Sequence, residues 1–242
     1  MLKPCDADNH DFPIRLYVSD LPRKAPFFDE WYKKMPASRK ERCDRFRMEA
    51  DRNRCIAAYA LLIYALHDMN VLEGDTVNLK EGSDGKPYID DIPVFFNISH
   101  AKDRVAVVIS PMETGCDVEY RSTSALKVAK RFFAPAEYEY LNSITDEEIQ
   151  GLEFTRLWTL KESVVKCLGE GIRRAFNDFC VADETGKRVD SVRIGEDGRT
   201  FYIKEFDSEG GYCYSICSVY DKAEDRMRLI DLTQSGVRNG RQ

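Results

Sequence analysis

Histidine is scarce in this 242-residue chain, with His10, His67 and His100 far apart, and its eight cysteines include no CxxC pair. A histidine-based metal site, a zinc site and a CxxC redox motif are therefore not indicated. The scattered cysteines read as reduced, with several buried. No apolar run approaches the roughly 20 residues needed to span a bilayer, and no N-terminal stretch joins a basic start to an apolar core. The expectation is a cytoplasmic protein with no membrane partner. Charge of one sign is also lacking: 36 Lys and Arg oppose 42 Asp and Glu, for a net charge of −6. That balance argues against bulk nucleic-acid binding, but it leaves room for a small anion held by a local cluster of bases.

What is present is a globular composition long enough for one large domain or two modest ones. A strand is expected near residues 14–18, then a helix or helical pair over 38–67. Its first half is rich in arginine (Arg39, Arg42, Arg45, Arg47, Arg52, Arg54) and its second half almost wholly apolar. A turn at Asp84-Gly85-Lys86-Pro87 precedes short strands ending at 95–100 and 105–109. The order then recurs: helices over 126–133, 137–141 and 154–168, followed by strands near 179–182, 189–194, 200–206 and 212–219. This pattern suggests two related halves, 1–111 and 112–220, with a cleft between them, and a polar, loosely held tail over 221–242.

Two blocks carry chemistry. In Gly115-Cys116-Asp117-Val118-Glu119, a segment of strand character, Asp117 and Glu119 leave the same face and can share one ion. In Trp158-Thr159-Leu160-Lys161-Glu162-Ser163-Val164-Val165-Lys166, the residues Leu157, Leu160, Val164 and Leu168 form one helical face, with Glu162 and Lys166 opposite. Three carboxylates beside lysines suit Mg²⁺, which prefers oxygen ligands and substrate phosphates. Taken singly, each element has an ordinary reading: Asp-x-Glu is common on solvated strands, and Glu162 with Lys166 is an i,i+4 ion pair. Lys161 lies nearer the apolar stripe and can snorkel, and Trp158 reads as core.

Five motifs stand in order along the chain: Gly85-Lys86-Pro87-Tyr88, Phe96-Asn97-Ile98-Ser99-His100, Gly115-x-Asp117-x-Glu119, Arg131-Phe132-Phe133 with Glu137-Tyr138, and Trp158-x-x-Lys161-Glu162-x-x-x-Lys166. Together they make the chain similar, from about residue 14 to 220, to the 4′-phosphopantetheinyl transferases of the surfactin-synthetase-activating (Sfp) type. The resemblance implies an α+β fold with a pseudo-twofold arrangement of two similar halves, coenzyme A bound in the cleft between them, and a monomer. It implies a Mg²⁺-dependent enzyme of the holo-[acyl-carrier-protein] synthase type. Such an enzyme moves the phosphopantetheine arm of coenzyme A onto a serine of an acyl or peptidyl carrier protein and releases adenosine 3′,5′-bisphosphate. The pathway served, whether fatty-acid, polyketide or nonribosomal-peptide synthesis, is left open.

By the same resemblance, Asp117, Glu119 and Glu162 match the metal ligands, and Glu162 or a metal-bound water is the general base. Lys86 with Pro87, Ser99, His100, Arg54, Lys161 and Lys166 match coenzyme A-binding positions, and Lys166 with Asp117 and Glu162 forms the catalytic set. One of Phe132 and Phe133 is a candidate contact for the carrier. Cys55 stands where some relatives carry a hydroxyl residue. The N-terminal basic contacts of relatives have no assigned counterpart among Arg23, Lys24, Lys33 and Lys34. The competing readings are a hydrolase acting on a diphosphate and a non-catalytic module that binds coenzyme A or a carrier protein.

Overall fold

Along the first strand, β1 (Arg15–Asp20), Leu16 and Val18 face one way and Tyr17 the other, yet all three are buried. A strand apolar on both faces must be covered on both. The computed structural model describes residues 12–82, 85–122, 125–169, 175–195 and 198–234. Cys5, His10 and Asp84 lie outside these residues.

In the first half, α1 (Ala25–Lys34), α2 (Ala37–Asp44) and the long α3 (Glu49–Asp68) precede a small hairpin, β2 (Leu79–Glu81) and β3 (Pro87–Ile89), and then β4 (Phe95–Ala101) and β5 (Arg104–Ser110). The expected helical pair over 38–67 is thus α2 and α3. The sheet runs β1-β5-β4, all antiparallel. Tyr17, Val105, Val107 and Ile109 meet the apolar body of α3, from Ile56 to Leu66, in one core.

The second half starts with β6 (Thr114–Tyr120), continues through α4 (Ala125–Phe132), α5 (Pro135–Ser143) and α6 (Glu147–Leu168), and ends with β7 (Ser191–Ile194), β8 (Arg199–Glu209) and β9 (Tyr212–Ser218). Its sheet runs β6-β9-β8-β7. In both halves the first strand pairs with the last, and the last with the one before it, while a long helix covers one face. The expected pseudo-twofold pair of α/β halves is therefore the observed fold. The expected strand at 179–182 is not formed: Ala182 makes an isolated bridge to Arg188, while Phe179 and Val181 turn into the core under α6.

The halves meet sheet to sheet. Leu16, Val18, Ala106 and Val108 pack against Cys116, Val118, Tyr212, Tyr214 and Ile216 in a third core. The order of layers is thus helix, sheet, sheet, helix, and neighbouring edge strands β4 and β6 form the seam. There Cys116 N donates to Asn97 Oδ1 at 3.0 Å, and Cys116 Sγ to Asn97 O at 3.4 Å.

The expected loose tail is corrected for residues 222–232. Ile14 N donates to Lys222 O, Glu224 N to Ile14 O and Ile230 N to Val18 O, and β10 (Arg228–Leu229) pairs parallel to β1. The reason is the otherwise open edge of β1, whose unpaired backbone groups accept a further strand. Arg228 is bonded to Asp68 at 2.6 Å, and Leu232 enters the first core. No described helix is long and apolar enough to cross a membrane.

Helix α6 begins seven residues before the expected 154–168 because Asp146 caps it, accepting from Glu148 N and Ile149 N. It ends at Gly169, whose φ of 72° is the left-handed conformation that glycine adopts without strain. Besides the leucine face, α6 carries a second buried stripe at four-residue spacing: Gly151, Thr155, Thr159, Ser163 and Cys167. The hydroxyls of Thr155, Thr159 and Ser163 bond carbonyls of their own helix, so they are buried without an orphaned group. This slim stripe lies on β6, where a Cβ built on Gly115 would stand 2.3 Å from Ser163 O and 2.4 Å from Cys167 N. Both are backbone atoms, so neither can swing aside. Gly115→Ala is therefore expected to destabilise the protein by about 2 kcal/mol or more, read as a lower midpoint of urea unfolding. An unchanged midpoint would mean that α6 backs away from β6 at no cost.

Candidate active site

Strand alternation sends Cys116 and Val118 into the core between the sheets and Asp117 and Glu119 to the opposite face, where α6 runs. On α6, Glu162 and Lys166 are one turn apart. From the other half, β4 contributes Ser99. These residues meet: Lys166 Nζ donates to Asp117 Oδ1 at 2.5 Å and to Ser99 Oγ at 3.0 Å, and Ser99 Oγ donates to Asp117 Oδ1 at 2.7 Å. The Asp117 side chain is 3% exposed, so this pair is largely out of water.

The electrostatics show a surplus of negative charge. Glu119 is pushed up to about 7 by burial and then by Asp117 and Glu162, with Lys166 acting against them. Glu162 is raised by burial and by Asp117. Burial works against the charge of Lys166, but Asp117 and the other anions nearby hold its pKa above the ordinary lysine value. Among the described residues no group of three or more His, Cys, Asp or Glu side chains is arranged to hold a metal ion, and Lys166 sits on one oxygen of Asp117. The other oxygen, Asp117 Oδ2, is buried with no hydrogen-bond partner. An orphaned carboxylate oxygen beside two carboxylates that resist ionisation is a donor set that fits a hard divalent cation.

The other expected site residues have the following places. His100 follows Ser99 at the lip of the seam. Crowding by surrounding atoms, ahead of the charges of Arg54 and Lys166, lowers its pKa from the usual imidazole value. Arg54 lies on α3, braced by Asp51 Oδ1 at 2.5 Å and Lys102 O at 3.0 Å. Lys86 reaches across from the β2–β3 hairpin, its ammonium donating to Thr114 O at 2.9 Å and Lys166 O at 2.7 Å. Pro87 opens β3, opposite Glu81. Trp158 packs among Phe133, Phe154 and Phe176, as its core reading expects, and Phe132 is exposed at 40%.

Lys161 requires a correction: it is not part of the cleft. Its side chain and that of Glu137 are both fully buried, paired at 2.8 Å. The lysine also donates to Phe176 O and Phe179 O. Adjacent helix positions differ by about 100°, so while Glu162 faces β6, Lys161 turns under α5. Glu137 in turn accepts from Val181 N at 2.7 Å. The pair thus fixes α6 to α5 and to the chain that follows.

Arg39 is a residue that the sequence grouped only with the other arginines of the basic stretch. It is only 7% exposed, its Nη2 contacts Cys55 Sγ at 3.8 Å, and its Nε has no partner in the structure. Its i,i+4 relation to Cys43 was the available signal, since it places Arg39 on the buried side of α2.

A two-layered pair of α/β halves with a carboxylate and lysine cluster at the seam defines a class, and comparison with known proteins assigns it. Residues 113–217 match the family model of the 4′-phosphopantetheinyl transferase superfamily, and residues 23–112 that of the 4′-phosphopantetheinyl transferase N-terminal region. The chain belongs to the 4′-phosphopantetheinyl transferase superfamily. Among its relatives it is 30% identical to the 4′-phosphopantetheinyl transferase Sfp of Bacillus subtilis (strain 168), over 79% of this chain and 85% of that protein. It is also 30% identical to the transferase ffp of Bacillus subtilis, over 80% and 86% of the two chains. With the transferase HetI of Nostoc sp. the identity is 36%, over 55% of this chain and 59% of that one.

Two measurements test this geometry. A divalent cation held by these carboxylates, tested with Mg²⁺ at about 100 times its Kd, would add about 2.7 kcal/mol, which for a chain of this size is a rise in Tm of about 5–10 °C. Asp117→Asn is expected to lose that rise, and a rise that survives the substitution would exclude Asp117 as a ligand. Lys161→Met is expected to cost about 3–5 kcal/mol by leaving Glu137 buried and unpaired. Lys161→Met/Glu137→Gln should recover most of it in the same urea titration.

Proposed function

We propose that this phosphopantetheinyl transferase acts on acyl or peptidyl carrier proteins, with Mg²⁺ and coenzyme A, and releases adenosine 3′,5′-bisphosphate. The observation that carries the reading is the gathering of Asp117, Glu119, Glu162 and Lys166 at the seam, with Ser99, His100 and Arg54 of the other half beside them. A diphosphate ester with a further phosphate needs charge compensation at two places, and the seam has acidic and basic groups side by side.

Asp117, Glu119 and Glu162 are the residues that would hold Mg²⁺, which when bound neutralises charge growing on the leaving phosphate. Lys166 supports the diphosphate as a cation already oriented by Asp117 and Ser99. His100 and Arg54 offer donors to the remaining phosphate. Lys86 keeps its charge nearby while its hydrogen bonds fasten the hairpin to β6 and α6. The serine oxygen of the carrier attacks the phosphorus that bears the pantetheine arm. A new P–O bond forms, the bond to the bridging oxygen breaks, and adenosine 3′,5′-bisphosphate leaves. The serine proton goes to the Glu162 carboxylate or to a water it holds. The exposed ring of Phe132, next to Arg131, offers an apolar contact within a basic surround for the carrier.

The test is to incubate the protein with Mg²⁺, coenzyme A and several apo carrier proteins and to weigh the carriers intact, with and without chelator. One phosphopantetheine added to a serine, lost with chelator, is expected. Asp117→Ala and Glu162→Gln should each lower the rate by about 100-fold or more, the size of losing one preorganised electrostatic contact. Coenzyme A binding without transfer to any carrier would instead favour the binding module, and cleavage of coenzyme A without carrier would favour the hydrolase.

A further inference from the structure

Helices α2 and α3 bring two cysteines together away from the carboxylate cluster. Cys43, in the last turn of α2, and Cys55, in the second turn of α3, have their sulfurs 2.8 Å apart and are 0% and 5% exposed. Both are free thiols. The sulfurs of a disulfide stand about 2.05 Å apart, so these two lie within a small side-chain movement of bonding distance. Arg39 adds its Nη2 at 3.8 Å from Cys55 Sγ, placing a buried guanidinium beside that sulfur.

We propose that Cys43 and Cys55 form a dithiol modification site at which a peroxide closes an intramolecular disulfide between α2 and α3. The charge distribution agrees with the geometry. The hydrogen bond from Cys43, with Arg39 and Arg42 behind it, brings Cys55 down to about 7 against the opposing effect of burial. Cys43 moves the other way, raised by its bond to Cys55 and by burial, so it stays a thiol. Elsewhere burial pushes Cys116 and Cys213 up to about 12 and also raises Cys180, the exposed cysteine among the described residues. Reactivity toward peroxide follows thiolate character and exposure: Cys180 is the more accessible, but the lowered pKa of Cys55, the Arg39 guanidinium beside it and a second sulfur in reach to resolve a sulfenic acid favour the pair.

The chemistry balances in two steps. The Cys55 thiolate attacks one oxygen of hydrogen peroxide; an S–O bond forms, the O–O bond breaks and hydroxide leaves, giving a sulfenic acid. The Cys43 sulfur then attacks the Cys55 sulfur; the S–S bond forms, the S–O bond breaks, and the hydroxyl leaves with the Cys43 proton as water. The two sulfurs together lose two electrons and the peroxide gains them. Closing the bridge also removes the negative sulfur next to Arg39 and one position from Arg54.

The test uses the full chain, fully reduced and then treated with one equivalent of hydrogen peroxide near neutral pH. Remaining thiols are capped under denaturing conditions and the protein is digested with trypsin without reduction. The expected product is a cross-link joining Cys43-Asp44-Arg45 to the peptide that begins at Cys55, formed about tenfold or more faster than oxidation of Cys180. In Cys43→Ala, a sulfenic acid at Cys55 should instead be trapped by dimedone. Oxidation of Cys180 while Cys43 and Cys55 both remain capped would overturn the proposal, and this wild-type readout stands even if the variant does not fold. The cross-link forms whether or not the protein transfers phosphopantetheine, so the two tests fail separately.

Discussion

The contact between the backbones of β6 and α6 is the constraint on which the site depends. An Asp-x-Glu strand and a Lys-Glu helix each present their charges correctly in isolation, but those charges act on one another only if strand and helix approach more closely than side chains usually allow. Gly115 removes the obstacle on the strand, and the stripe of Gly151, Thr155, Thr159 and Ser163 removes it on the helix. Hydroxyls on that stripe are tolerable because each finds a carbonyl on its own helix. The motif glycine is thus as much a part of the site as the acids that follow it.

Once strand and helix are in contact, charge is distributed with little slack. Lys161 and Lys166 sit on the same helix, five residues apart, and serve opposite ends. Lys161 is sealed with Glu137 under α5, where removing either partner strands the other charge in the core. Lys166 is at the seam, shared between Asp117 and Ser99, so it ties the two halves while remaining available to an anionic group. Lys86 completes the fastening from the first half. The seam is held by polar contacts at its rim and by the apolar core of Leu16, Val18, Cys116 and Val118 beneath them.

What could be read in the sequence followed from periodicity. Asp117 and Glu119 on one face of a strand, and Leu157, Leu160 and Val164 on one face of a helix, are consequences of backbone geometry alone, and both hold. Residues whose environment comes from a distant segment could not be read this way. Lys161 looked like a ligand-binding lysine because its partner Glu137 lies 24 positions earlier on another helix, and Arg39 passed as one more arginine of the basic stretch because its i,i+4 relation to Cys43 is a faint local mark of burial by α3. Helix α1 went unread although Phe28, Trp31 and Met35 bury its inner side, since an aromatic-rich run of ten residues suits strand and helix alike. Strand β10 was missed for a different reason: its partner is the edge of β1, some two hundred residues away.

That last pairing bears on how the molecule is made. The sheet of the first half gains its outer strand from residues that leave the ribosome only after the whole of the second half has been synthesised. Until then β1 presents a bare edge, and Asp68 lacks the guanidinium of Arg228. The sheet of the first half therefore lacks its outer strand until the second half has been made. Two halves alike in architecture are in this respect unequal: the second draws every strand of its sheet from its own segment, and the first takes one from beyond it.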